Sequence, residues 1–424
     1  MNKKRLLVIG GGAAGFFCAV NAARKYPELE VMIVEKTDKV LSKVRISGGG
    51  RCNVTHACFS MAEMLKHYPR GGALLKKAFH RFFTKDTIEW FEKRGVPLKT
   101  EADGRMFPVS DDSASIVNCL VQEANKYKVE ILFRHDVREI VYHKAAVDTP
   151  ASFSIYFNNG KKLASDFICI AAGGYPKMGQ YQWIEKTGTG IVAPVPSLFT
   201  FNIPGDTIRE LMGVSVEQVL VKLGESKLSS TGPLLITHWG LSGPAILKLS
   251  AQAARELAAR NYQFRITVNW LPAFNENSLR EHFQQLRFER ASQKLINRNP
   301  FNLPSRLWEY FIATAGINPD LRWADLPAPQ QNKLIKILCT QDFSVSGKTG
   351  FKEEFVTAGG VAVAEINAQT MESRKIPGLF FAGEILDVDG VTGGFNFQNA
   401  WTTGWVAATG VGERLREAAN DDAG

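Results

Sequence analysis

Gly10-Gly11-Gly12-Ala13-Ala14-Gly15 constrains this chain more than any other feature. A short apolar run, Leu6–Ile9, precedes it. Ala13–Lys25 follows with helical apolar spacing, and Val31–Val34 reads as a second strand. Strand, glycine turn, helix and strand is the context in which a GxGxxG turn holds a dinucleotide. Gly10 permits the tight turn, Gly12 lets the backbone approach a pyrophosphate, and Gly15 lets the helix pack close to the sheet. The N–H groups around Ala13 and Ala14 and the positive helix end face the phosphates. The second strand ends in Glu35, 20 residues after Gly15, with Lys36 beside it. A carboxylate there accepts both hydrogens of a ribose diol and repels a 2′-phosphate. The bland alternative is a structural glycine turn with a surface glutamate.

Two further segments favour FAD over NAD. Ser47-Gly48-Gly49-Gly50-Arg51-Cys52-Asn53 is a second glycine loop, placed where a long dinucleotide would extend; otherwise it is an exposed flexible loop. In the tail, Leu379–Ala382 leads into Gly383-Glu384, then Gly393-Gly394-Phe395-Asn396-Phe397 opens a helix. A helix N-terminus aimed at the flavin pyrimidine would stabilise the charge of reduced flavin; a structural turn is the alternative. Ala171-Ala172-Gly173-Gly174 closes a strand and starts no second Rossmann unit, so NAD(P)H is expected only as a transient reductant. Val137, Ala171 and Gly173 complete the candidate cofactor contacts.

The rest of the chain suggests how these segments are arranged. Residues 72–95 and Ser113–Tyr127 read as helices, and Val129–Phe133, Val137–Tyr142, Ser152–Phe157 and Phe167–Ala171 as strands. From about Pro194 short apolar runs alternate with turns, interrupted by one helix, Pro244–Arg260. Residues 275–340 read as helical, a strand-rich stretch returns near Phe351–Val363, and Asn399–Arg416 is a helix. The expected architecture is a nucleotide-binding α/β domain over 1–193 and 356–424. It surrounds an inserted β-rich domain, 194–274 and 341–355, which itself carries a helical insertion, 275–340.

The chain resembles the flavoprotein family of BaiN-type NAD(P)/FAD-dependent oxidoreductases, or aminoacetone oxidases. The resemblance runs over nearly its whole length, at Gly10–Gly15, Ile46–Thr55, Gly104–Val109, Thr237–Leu247 and Phe381–Trp405. It implies a glutathione-reductase-like Rossmann-type FAD-binding domain with an inserted β-barrel-like domain and a helical sub-domain. One departure is Lys43-Val44-Arg45, where the family often has a Gly-Arg-Lys run, so a basic contact there shifts by a residue.

Flavin chemistry needs few protein groups. His238, in a tight turn before a helix, can bind substrate or shuttle a proton, or simply bond backbone. Arg105 can hold an anionic substrate group or form a structural ion pair. Cys52 reads as a small packed side chain rather than a redox partner. Ser346-Gly347-Lys348-Thr349 is not a P-loop, because Asp342 stands where its first glycine would be. No spacing suggests a metal.

The surplus of 51 Lys/Arg over 42 Asp/Glu is moderate, and the densest basic stretch, Lys76–Arg81, reads as a solvated helix face. A small-molecule substrate is therefore expected, and nucleic acid is not. Six scattered cysteines without a CxxC pair and no run of about 18 apolar residues point to a cytoplasmic protein away from membranes; oligomeric state is not legible. The expected activity is hydride transfer between flavin N5 and a small organic substrate, in one form the oxidation of an amine. The alternatives are an NAD(P)H-dependent reductase of an activated C=C bond and a flavin-holding RNA-binding protein.

Overall fold

A computed structural model describes residues 3–146, 150–297, 299–349 and 356–421, with side chains up to residue 417. The chain forms two compact units, Met1–Pro196 with Lys352–Gly424, and Ser197–Phe351.

The first unit is built on β1 (Arg5–Ile9), α1 (Ala13–Lys25), β2 (Glu30–Val34), β3 (Thr55–His56), α2 (Gly72–Phe79), α3 (Thr84–Glu92), β4 (Leu98–Thr100), β5 (Arg105–Pro108), α4 (Ala114–Lys126), β6 (Glu130–Leu132), β7 (Phe167–Ile170), β8 (Leu379–Phe381) and α5 (Phe395–Asp421). Five strands make one parallel sheet in the order β8-β7-β1-β2-β6. Ile9 pairs with Val34 on one side and Ile170 on the other. From β1 the chain moves to β2 on one side and later returns to β7 on the other. That reversal opens a crevice at the carboxyl end of β1, where ligands bind in open α/β sheets. Leu6, Leu7 and Val8 are buried, as a strand covered on both faces requires. Helix α1 packs on α5, and a Cβ on Gly404 of α5 would stand 2.7 Å from the Ala14 carbonyl oxygen. Strands β3, β5 and β4 form a small antiparallel sheet, and Val137–His143, Ser152–Phe157 and Lys162–Ser165 form a meander.

Residues 72–95 are two helices rather than one. The Asp86 carboxylate accepts from the Phe83 N–H at 2.7 Å, and the Thr84 hydroxyl donates to the Cys58 carbonyl at 3.0 Å. The Asp86 bond is a local alternative to the helical ladder and starts a new helix at Thr84, which the Thr84 hydroxyl pins to the Cys58 loop. Helix α5 begins four residues before the expected Asn399, directly after Gly394.

In the second unit the strands order as Gln341–Ser346, Gln263–Asn269, Ser215–Leu223, Ser229–Ile236, Gly240–Ser242, Thr200–Asn202 and Lys348–Thr349. The two edge strands are one stretch of chain bent at Gly347, φ +94°, so the sheet closes on itself as a barrel. The expected helix 244–260 breaks into Pro244–Gln252 and Ala254–Ala259. Buried Ser250 explains the break: its hydroxyl donates back to the Leu247 carbonyl and accepts from the Phe199 N–H, which bends the ladder. Three helices, Glu276–Glu289, Ser305–Thr314 and Ala328–Thr340, share one apolar core with the barrel through Trp270, Trp308, Phe311 and Trp323. The expected strand-rich stretch near Phe351–Val363 is described from Val356, as Val356–Val361; 350–355 lie outside the described residues. Among the described residues no helix is long and apolar enough to cross a membrane.

Candidate flavin site

The glycine turn shows why each residue type is needed. A Cβ on Gly10, φ +114°, would stand 2.4 Å from the Ala171 carbonyl oxygen, and one on Gly15 would stand 1.9 Å from that of Gly10. Any side chain at either position would push the turn off β7 or the helix off the turn. A Cβ on Gly12 would meet nothing within 4 Å, so the space before α1 is open. No side chain caps that helix end, and its first turn has no acid. The N–H groups of Gly12, Ala13 and Ala14 have no acceptor among the described residues. Converging donors, a positive helix end and open space form an anion cradle.

Glu35 is fixed beside it. One carboxylate oxygen accepts from the Gly11 N–H at 2.9 Å, the other from the Thr37 N–H and hydroxyl, each at 2.9 Å. A carboxylate has about four acceptor positions and three are taken, so one, on the oxygen that Gly11 holds, remains for a ribose hydroxyl. Val137 is buried two residues after His135, whose N–H donates to the Glu35 carbonyl. The Lys36 ammonium lies 5.3 Å from the ring centroid of Tyr175, just past Gly173.

In the second glycine loop Gly48, Gly49 and Gly50 have φ of +59°, +69° and +85°. The loop closes through the Cys52 N–H on the Ser47 carbonyl, and the Ser47 hydroxyl donates to Val44. Arg51 stacks on Phe107 at 4.0 Å and pairs with Glu101 at 2.7 Å, so its guanidinium secures the loop to the β4–β5 hairpin. Cys52 is buried and burial pushes its thiol up to about 12, which leaves it protonated and inert at neutral pH. The Asn53 amide donates to the Thr55 carbonyl and accepts from the Gly394 N–H, both at 3.0 Å. One side chain therefore ties the loop to the start of α5.

The tail completes the site. The Gly383 N–H donates to the Thr403 hydroxyl at 2.8 Å, and a Cβ on Gly383 would stand 2.7 Å from that of Ala14. Glu384 accepts from the Thr357 N–H at 3.1 Å and pairs with Lys43 at 2.7 Å, so Lys43 carries the basic contact of that segment. The Thr357 hydroxyl and the Asn399 amide oxygen are buried without partners. Buried polar atoms are normally satisfied, and two orphans here suit a polar cofactor. Asn396 exchanges two hydrogen bonds with Gly390 at 2.8 and 2.9 Å and holds the turn before α5. The N–H groups of Phe395, Asn396 and Phe397 have no acceptor among the described residues, and the Phe397 ring stacks on Trp401 at 5.7 Å. The donor set fits FAD: one bare helix end for the diphosphate, a second for the electron-rich edge of the flavin, and a carboxylate for the ribose.

Of the two catalytic candidates, Arg105 lies in this unit. It pairs with Asp103 at 2.7 Å and Glu101 at 3.1 Å, and stands opposite His56 in the β3–β5 register. His238 is exposed on the inserted unit, with its carbonyl held by Arg209 at 2.7 Å. Sequence reasoning missed Thr357, His56 and His67. The rings of His56 and His67 lie 4.7 and 4.2 Å from Phe395 at the start of α5, and 6.0 Å from each other. His56 Nδ1 is 3.0 Å from the Gly393 carbonyl oxygen. His56 follows the Asn53 loop and could have been flagged; nothing local marks His67 or Thr357. Among the described residues no group of three or more His, Cys, Asp or Glu could hold a metal.

The chain is 32% identical to the Ribosomal RNA dihydrouridine synthase of Escherichia coli (strain K12) over 418 residues, 96% of this chain and 98% of that protein. It is 28% identical to the 3-dehydro-bile acid delta(4,6)-reductase of Clostridium scindens (strain ATCC 35704 / DSM 5676 / VPI 13733 / 19) over 422 residues, 97% and 99% of the two chains. The 3-ketosteroid delta1-dehydrogenase of Sterolibacterium denitrificans shares the fold with a TM-score of 0.50 at 12% identity, over 98% of this chain and all of that one. The HI0933-like protein Rossmann domain matches residues 4–410, from the strand before the glycine turn to well inside the last helix. With that match and the FAD cradle described above, the chain belongs to the HI0933-like family of FAD-dependent oxidoreductases.

Proposed function

We propose that this oxidoreductase saturates a carbonyl-conjugated C=C bond, and that its substrate is a uracil ring in RNA. The observation that carries the reading is end-to-end likeness to two proteins whose names share that chemistry. Dihydrouridine is uridine saturated at the C5=C6 bond, which is conjugated with the C4 carbonyl. A delta(4,6)-reductase of a 3-dehydro-bile acid is likewise named for double bonds near a ring carbonyl.

Such a reduction needs a hydride at the β-carbon, a proton at the α-carbon, and an environment that tolerates negative charge between the two steps. FAD, when bound and reduced, supplies the hydride, and NAD(P)H from solution restores it. The chain does the rest. The bare N–H groups at the start of α5 stabilise anionic charge beside them. His56 is the proton source. A carbonyl only accepts, so the Nδ1 facing Gly393 carries hydrogen in either charge state, and Nε2 gains and loses the proton. Arg105, opposite His56, is a positioning residue whose ion pairs hold the facing strand. His238 takes no step in this reading.

The test is anaerobic incubation of the FAD-loaded protein with NADPH and uridine-containing RNA, followed by nucleoside mass spectrometry. The reading expects dihydrouridine and matching NADPH consumption. Flavin bleached by amines instead, with peroxide formed on admitting air and no change in RNA, would replace it with the amine-oxidase reading.

A further inference from the structure

We propose that the outer face of α2, with Lys76, Lys77 and His80, together with Lys85 and Phe59, holds the single-stranded RNA that flanks the target uridine. This rests on the RNA reading above.

Charge points there first. Residues 57–95 hold eight Lys/Arg against four Asp/Glu, so a stretch of 39 residues carries +4 of the chain's +9. Most of those cations are already paired: Lys66 with Glu63, Arg70 with Asp389, Arg81 with Glu413, Lys93 with Glu89 and Arg94 with Glu123. Lys76, Lys77 and Lys85 are exposed and have no ion pair or hydrogen bond among the described residues. Unpaired cations on one surface suit a polyanion, whose phosphates release counterions when bound.

An exposed aromatic accompanies them. Phe59 is 52% exposed. The bond from the Thr84 hydroxyl to the Cys58 carbonyl brings its loop to the first turn of α3, so Phe59 and Lys85 follow directly on its two ends. Lysines along a strand path with an aromatic for one base form the usual platform for single-stranded nucleic acid.

The face is also anchored to the flavin end. On the inner side of α2, Phe79 packs on Tyr68 at 5.8 Å, and the Tyr68 hydroxyl donates to the Phe395 carbonyl at 2.7 Å. Burial pushes the Tyr68 hydroxyl well above its ordinary range, so it stays a donor. Arg70 pairs with Asp389, and a Cβ on Gly71 would stand 2.4 Å from Val388. The cationic face thus lies across one helix diameter, ~10 Å, and then the Tyr68 ring, itself 6.1 Å from the Phe395 ring, from the start of α5. A separation of that size is spanned by the flanking strand a few nucleotides from a base held there.

The experiment measures binding of a single-stranded, uridine-containing RNA to the full FAD-loaded chain by fluorescence anisotropy across salt. The triple variant K76E/K77E/K85E should bind at least tenfold more weakly at physiological salt. Its log–log salt slope should be shallower by about 2, three lost contacts at roughly 0.7 each. F59A should weaken binding about tenfold with the slope unchanged. Bound flavin and its reduction by NADPH should stay at the parent level in both. A control, K144E/K161E/K162E, imposes the same charge change on other exposed lysines and should lose far less. If the parent binds RNA and K76E/K77E/K85E matches the parent or the control, this surface is wrong while the RNA reading survives. If the parent binds no RNA yet reduces a small enone, the RNA reading itself falls, and this surface with it.

Discussion

Glu35 has both carboxylate oxygens fixed by Gly11 and Thr37 before any ribose arrives. Hydrogen bonds to a charged group contribute about 1.5–3 kcal/mol each, so Glu35→Ala is expected to weaken FAD binding by roughly 10- to 100-fold at about 1.4 kcal/mol per decade. Equilibrium titration of the apoprotein with FAD checks this, and an unchanged Kd would remove Glu35 from the site. His56→Ala should lower kcat by about 100- to 10,000-fold, the range for loss of a general acid. Flavin reduction by NADPH should persist, and the rate should lose a limb of its pH profile; a drop confined to KM would contradict the proton role. The thiols give a third test. Burial pushes Cys52 and Cys119 up to about 12, while Cys58 alone of the six is partly exposed. One cysteine should therefore label readily in the native protein. A raised thiol pKa favours the fold while the unfolded thiol is still protonated, so stability should fall as pH climbs from about 9 toward about 12. Residues under local constraint, such as Gly10, Gly15 and Glu35, were legible in the sequence. His56 and His67 gain their meaning by meeting Phe395, more than 300 positions away, and no local pattern carries that.

At the scale of elements, strand and helix types were mostly legible because apolar spacing is a local property. The breaks were not. Helices α2 and α3 separate because Asp86 bonds the Phe83 N–H, and the helix after Pro244 bends because Ser250 bonds back to Leu247. Barrel closure was legible only through family resemblance, since it depends on one bent segment at Gly347 pairing with strands on both sides. The helices of the inserted unit are held by large aromatics in its shared core. Trp308 is 1% exposed and its indole N–H donates to the Leu295 carbonyl at 2.9 Å. Trp308→Ala removes that packing and leaves the carbonyl unpaired, at a cost of about 3–5 kcal/mol. Denaturant unfolding should show a lower midpoint; a shift worth less than about 1 kcal/mol would mean the site collapses to fill the space.

At the scale of the molecule, the FAD domain is assembled from both ends of the chain. Residues 5–35 supply the diphosphate cradle and the ribose acid, and residues 379–421 supply the last sheet strand and the second helix end. The Asn53 amide joins the middle loop to the tail, and Glu384 joins the tail to Lys43 and Thr357. Such a layout serves one bound flavin dinucleotide, and the proposed chemistry requires electrons to leave it directly for a conjugated C=C bond. The most direct measurement is a single-turnover mix, without oxygen, of the NADPH-reduced protein freed of excess nucleotide with uridine-containing RNA, followed at the flavin absorption band. The account expects the yellow oxidised band to return as dihydrouridine forms, one for each flavin. A flavin that stays reduced until air is admitted, with the RNA unchanged, would contradict it.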